Sequence, residues 1–113
     1  MSLSSKLQIG EEQRVAVLNP PAGFKLDAPA GDDRAGAILL FVRSREQLDA
    51  LDEPLFQAAR EDRLVWLAYP KARQLETDLN RDILVEETRT RGVRPARQVS
   101  IDEVWSALRL RPR

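Results

Sequence analysis

Three clusters of polar residues carry the types that could do chemistry: Asn19 with Gly23, then Arg43, Ser44 and Arg45, then Tyr69, Lys71, Arg73 and Thr77. Each follows a β-prone apolar run: RVAVL at 14–18, AILLFV at 37–42 and LVWLAY at 64–69. In open α/β sheets, ligands lie outside the carboxyl ends of the strands, so these loops are expected to meet along one edge. Arg43, Arg45, Lys71 and Arg73 would there stand beside helix starts at Ser44 and Thr77. A helix dipole and its unpaired amides favour negative charge, so the edge is a candidate anion site for phosphate, a nucleotide or a carboxylate. The competing reading is that these residues keep loops soluble, as basic residues do in any soluble domain.

Asp78 and Asp82, one helical turn apart, could serve as a carboxylate pair for proton transfer or Mg²⁺, or could stabilise a helix start. Trp105 could stack on a ring with Ser106 as its hydrogen-bonding neighbour, although a core tryptophan explains it with less; Trp66 is expected in the core. Residues 89–113 hold seven Arg against Asp102 and Glu103, a balance of +5 in a chain of net charge zero. Such arginines suit phosphate backbones, but only Trp105 is aromatic in that region and no nucleic-acid motif is present, which argues against nucleic acid. Arginines that guard a sheet edge against aggregation account for the same residues. The chain has no Cys and no His, which removes thiolate and histidine relays, disulfides and the usual zinc ligands. Catalysis would fall to Tyr69, Lys71 and Asp78, none with a diagnostic partner, so no catalytic residue, metal or cofactor is assigned.

The elements that must position these groups follow from pattern. At 113 residues the expectation is one α/β domain spanning 1–113. Leu3, Leu7 and Ile9 suit a short docking helix, and 19–35, with three Pro, two Gly and three Asp, reads as loop with at most one helical turn near 22–26. Ser44 and Gln47 fit a capping box. Leu48, Leu51, Leu55 and Ala59 mark one helix face, but Pro54 predicts two helices, 45–51 and 54–60. A helix over 77–91, capped by Thr77 or Asp78 and ended by Gly92, exposes a Glu87–Arg91 pair. Residues 94–101 and 104–111 form a hairpin about Asp102-Glu103, with Arg97, Arg109 and Arg111 directed to solvent or an edge. No apolar run reaches the roughly 20 residues of a membrane span, and a cytoplasmic location is the default expectation.

With the strands so placed, WLAYPK at 66–71, TDL at 77–79 and IDEVWSALRLRP at 101–112 resemble a family of small bacterial proteins known as a domain of unknown function. The likeness spans nearly the whole chain. Those proteins are similar to a reduced class I methyltransferase-like Rossmann sheet, mostly parallel with a C-terminal antiparallel strand pair. The resemblance implies that the last strand inserts antiparallel beside the parallel ones. It does not carry the cofactor across. The first turn, Asn19-Pro20-Pro21-Ala22-Gly23, has one glycine and two residues without N–H, and no second strand with a terminal carboxylate precedes residue 36, which argues against S-adenosylmethionine. The expected function is a non-catalytic binding or interaction module, the alternative a small enzyme or sensor that takes an anionic metabolite at the strand-end loops. A trimmed sheet also leaves an edge that a homodimer would cover.

Overall fold

The computed structural model describes residues 3–10, 13–31, 36–71 and 74–113. Its elements in order are α1 (Leu3–Lys6), β1 (Val15–Leu18), β2 (Ala37–Phe41), α2 (Arg45–Arg60), β3 (Leu64–Pro70), a 3₁₀ turn (Gln74–Glu76), α3 (Arg81–Arg89), β4 (Val93–Ser100) and β5 (Trp105–Pro112). The strands form one α/β mixed sheet in the order β1-β2-β3-β5-β4. The first three strands run parallel, and β5 lies antiparallel between β3 and β4. This is the antiparallel insertion that the resemblance implied.

Continuous apolar runs give continuous burial: every residue of β2 is buried, as is all of β3 except Leu64. Strands that alternate faces then feed two separate cores. On one face, Ile38, Leu40, Val65, Leu67, Leu108 and Leu110 meet Leu48, Leu55 and Phe56 of α2 and Leu84 of α3. On the other, Leu39, Phe41, Trp66 and Trp105 are covered by Leu7 and by the partly buried Phe24 and Leu26 of the loop after β1. That loop and α1 do here what a second layer of helices does in a doubly wound sheet. Phe24 meets Phe41 edge-on at 4.7 Å and Phe41 meets Trp105 at 5.0 Å, geometries favoured by the ring quadrupoles. The Trp66 indole N–H, buried in this layer, donates to the Leu7 carbonyl at 2.9 Å, which fixes α1 on the sheet.

Three expectations are corrected. Residues 45–60 form one helix, not two. A proline nine positions past the first helical residue removes a hydrogen bond, yet the anchors Leu48, Leu55 and Ala59 pack on one core and hold both halves in register. The helix placed at 77–91 begins only at Arg81, because Asn80 and not Thr77 or Asp78 is its cap, its side-chain oxygen accepting from Ile83 N at 2.9 Å. Arg109 does not lie at an edge: β5 is interior to the sheet, and the guanidinium reaches the turn after α1, where Nη1 donates to the Gln8 side-chain oxygen at 2.9 Å. Other expectations hold. Ser44 accepts from Gln47 N, although the Gln47 side chain reaches back to Arg43 N and not to Ser44. Glu87 and Arg91 pair at 2.7 Å. Gly92 takes the left-handed φ of 79° that ends α3, and Asp102 closes the hairpin by accepting from Val104 N and Trp105 N.

Candidate functional site

The residues singled out along the strand ends do not form one site. Asn19, at a φ of 54°, donates its amide to the Phe41 carbonyl at 2.9 Å and so ties the end of β1 to the end of β2. Arg43 contributes its backbone, its carbonyl accepting from the Thr77 hydroxyl at 2.6 Å. Thr77 in turn accepts from Leu79 N, so its hydroxyl is held within a turn. The N-terminus of α2, where an anion was expected, holds the protein's own: Asp78 accepts from Arg45 N at 3.0 Å beside the Ser44 cap. The Arg45 side chain is engaged as well, pairing with Glu87 at 2.8 Å. That use of Asp78 also separates it from Asp82, which lies in the first turn of α3, so the two are not neighbours on one helix. Trp105 is 5% exposed and belongs to the core, leaving no face on which a ring could stack. Arg73 lies outside the described residues.

Lys71 and Ser106 do meet, in company that the sequence reading passed over. A cleft of about 350 Å³ opens at the carboxyl end of β3, lined by Tyr69, Lys71, Asn80, Arg81, Gln98 and Ser106. Its construction follows from strand direction. Tyr69 and Ser106 are cross-strand partners in the β3–β5 ladder, and because β5 runs antiparallel its first residues arrive beside the last of β3. β4 brings Gln98, whose amide donates to the Tyr69 hydroxyl at 3.1 Å. Lys71, just past β3, is positioned by its backbone N–H on the Val104 carbonyl and by its ammonium on the Ser100 hydroxyl at 2.8 Å. Asn80 and Arg81 arrive as cap and first residue of α3.

The electrostatics of the cleft are one-sided. Two cations line it, and no carboxylate does so among the described residues. Burial raises the Tyr69 phenol above its ordinary value of 10.0, with the positive Arg81 and the Ser106 hydroxyl opposing that rise. Tyr69 therefore remains a neutral hydrogen-bond donor at physiological pH. The ring is packed in the core at 4% exposure while its hydroxyl faces the cleft, an arrangement that presents a donor of fixed position. Asn80 and Gln98 had detectable signals: asparagine is among the strongest helix caps, and Gln98 interrupts an otherwise Arg- and Val-bearing strand. Arg81 offered none, since charged residues in a first helical turn are ordinary.

A second cavity of about 280 Å³ lies between β1 and the following loop, lined by Val15, Val17, Pro20, Phe24, Leu26, Ala28, Ala30 and Gly31. Its lining side chains are all apolar and bring no group for chemistry. No cluster of acidic side chains suited to a metal ion occurs among the described residues, and no helix there is long and apolar enough to cross a membrane. Comparison with protein-family models and with curated proteins found no match to the chain.

Proposed function

We propose that the chain is a non-catalytic binding module, a reduced methyltransferase-like sheet that holds a small anionic ligand in the cleft at the end of β3. The observation that carries this reading is the convergence of Lys71 and Arg81 on the hydroxyls of Tyr69 and Ser106 and the amide of Gln98, with no acidic side chain lining the cleft among the described residues. Cations with fixed neutral donors suit phosphate, sulfate or carboxylate, where charge-assisted hydrogen bonds are about twice as strong as neutral ones. A volume of about 350 Å³ matches a small metabolite or one nucleotide. The strand order supports the methyltransferase-like reading, since an antiparallel strand inserted beside the last parallel one is what the resemblance implies. The cofactor position of that fold is unfavourable here: Pro20 and Pro21 offer no amide, and the Asn19 side chain is spent on Phe41.

The test is a thermal-shift series with phosphate, sulfate, nucleotides, S-adenosylmethionine and S-adenosylhomocysteine, with Lys71→Ala/Arg81→Ala as control. A ligand at ~100 times its Kd adds about 2.7 kcal/mol to the native state. For a chain of this size that is a rise of roughly 10 °C, at about 4 °C per kcal/mol. The expected result is such a rise for one anionic compound, lost in the double variant. No shift with any of them would refute the proposal.

A further inference from the structure

Four arginines that are scattered in sequence share one patch of the β4–β5 ribbon. Arg94 lies directly opposite Arg111 and Arg97 opposite Arg109 in the ladder. Both pairs lie on the face that carries α1: Ala107 and Val99, two residues from Arg109 and Arg97, pack in that layer, and Arg109 itself reaches Gln8. Side chains directly opposite in such a ladder have Cβ atoms about 5 Å apart, and like charges there are destabilising. Solubility does not require that arrangement, because one guanidinium on alternate positions of β4 alone would guard the edge. Neutralisation is sparse. Arg111 pairs with Asp62 at 3.3 Å, while among the described residues neither Arg94 nor Arg97 has an ion pair. Arg109 Nε is buried without a hydrogen-bond partner. Arg94 and Arg97 thus carry guanidinium charge that no carboxylate among the described residues offsets, each directly opposite another arginine.

The patch is elongated. From Arg94 it runs along β4 to Ser100, whose carbonyl accepts from Lys6 of α1. That span is about 20 Å at ~3.3 Å per residue. A single small anion would engage one end of it; a linear polyanion would engage the whole. Two guanidinium groups facing each other also discriminate between anions. A planar carboxylate presents one edge to one bidentate fork, whereas the non-bridging oxygens of a tetrahedral phosphodiester diverge and accept from both sides. The aromatic rings on the strands beside the ribbon, Trp66, Tyr69 and Trp105, are buried, so bases have none of them to stack on.

From this juxtaposition we infer that the α1-side face of the β4–β5 ribbon binds the phosphate backbone of nucleic acid, independently of base sequence, through the pairs Arg94/Arg111 and Arg97/Arg109. Overall neutrality is no obstacle, since the field of a local patch decides such contacts. This surface lies on the opposite face of the sheet from α2 and α3 and does not depend on the anion cleft.

The experiment measures fluorescence anisotropy of a short labelled duplex of arbitrary sequence against salt. Four phosphate contacts give a slope of log K on log salt of about −3.6, a loss of affinity of roughly a hundredfold between ~50 and ~200 mM. In Arg94→Gln/Arg97→Gln the slope falls to about −1.8. The melting temperature of that variant stays level or rises, because each substitution relieves a like-charged pair, so lost binding is not lost folding. Arg81→Ala, in the cleft, leaves duplex binding unchanged. Absence of binding at low salt, a slope unaltered by the double variant, or equal binding of a polyglutamate peptide would each overturn the inference, the last in favour of an acidic protein partner.

Discussion

Asp78 is the residue whose expected role changes most, and removing it tests the account of the strand-end loops. Its carboxylate accepts from Arg45 N at 3.0 Å, in the first turn of α2, next to the Ser44 cap. Asp78→Ala deletes a charge-assisted hydrogen bond, worth about 1.5 kcal/mol at the low end appropriate to an exposed residue. It also deletes a favourable charge–dipole interaction of about 0.3–1 kcal/mol. These overlap, and solvent takes over part of the hydrogen bond, so the expected loss is about 1–2 kcal/mol, or roughly 4–8 °C in Tm. Asp78→Asn keeps an acceptor and removes only the charge, so it should lose about 0.3–1 kcal/mol. Urea denaturation at low ionic strength separates the two variants. Sulfate provides the second readout: with the tethered carboxylate gone, the α2 N-terminus becomes free to take an anion, and sulfate should stabilise Asp78→Ala more than the parent or Asp78→Asn. An Asp78→Ala protein as stable as the parent, or one with no extra response to sulfate, would refute the assignment of Asp78 as the anion of that helix.

Glu87 is held below its ordinary value of 4.5 chiefly by its hydrogen bond from Arg91, with Arg45 adding to it. A depressed folded-state value means that the native state binds fewer protons, so this stability is present above the ordinary value and is lost as pH falls through the lowered one. The difference between parent and Glu87→Gln in urea midpoints should therefore be full near neutrality, about 0.5–1 kcal/mol for partly exposed pairs, and should vanish in acid; a gap independent of pH would contradict it. Asn19→Ala should cost about 2 kcal/mol, half from the lost hydrogen bond to Phe41 and half from a side chain forced into left-handed backbone. Asn19→Gly recovers the second half, and neither variant should alter anion affinity in the cleft; a selective loss of affinity would return Asn19 to the binding site.

Much of the fold was legible because burial on both sides writes itself as uninterrupted apolar runs. AILLF and LVWLAYP could be little other than interior parallel strands. The hairpin could be read from Asp102 and Glu103 between two β-rich stretches. Pro54 misled, since the local cost of a proline is visible in sequence while the long-range packing of Leu48 and Leu55 that outweighs it is not. The boundary at Asn80 was missed for a related reason. Thr77, Asp78 and Asn80 all have cap chemistry, and only their surroundings distinguish them: Thr77 is engaged by Arg43, Asp78 by Arg45, and Asn80 remains for α3. The site was less legible than the fold. Ser106, 37 residues from Tyr69 in sequence, acquires meaning only through the register that sets the two opposite each other, and Gln98, 29 residues away, only because its amide reaches across β5 to the Tyr69 hydroxyl.

The position of the cleft has a topological cause. In a parallel sheet every strand's carboxyl end opens on the same edge, and the crevice between two diverging connections is where a ligand enters. Here the crevice between β1 and β2 is closed by the chain itself, through Asn19 on the Phe41 carbonyl and a turn whose prolines lack donors. The one between β2 and β3 is closed by Thr77 on Arg43 and Asp78 on Arg45. Beyond β3 the direction reverses. β5 begins where β3 ends, Pro70 pairing with Trp105, so the two strand ends open side by side on that edge. The polar groups gathered there among the described residues come from the ends of β3 and β5, the start of α3 and Gln98 of β4. A substitution at this reversal should therefore act on binding and not on the fold: Ser106→Ala, which removes only the hydroxyl beside Tyr69, should leave the sheet folded and weaken the anion site.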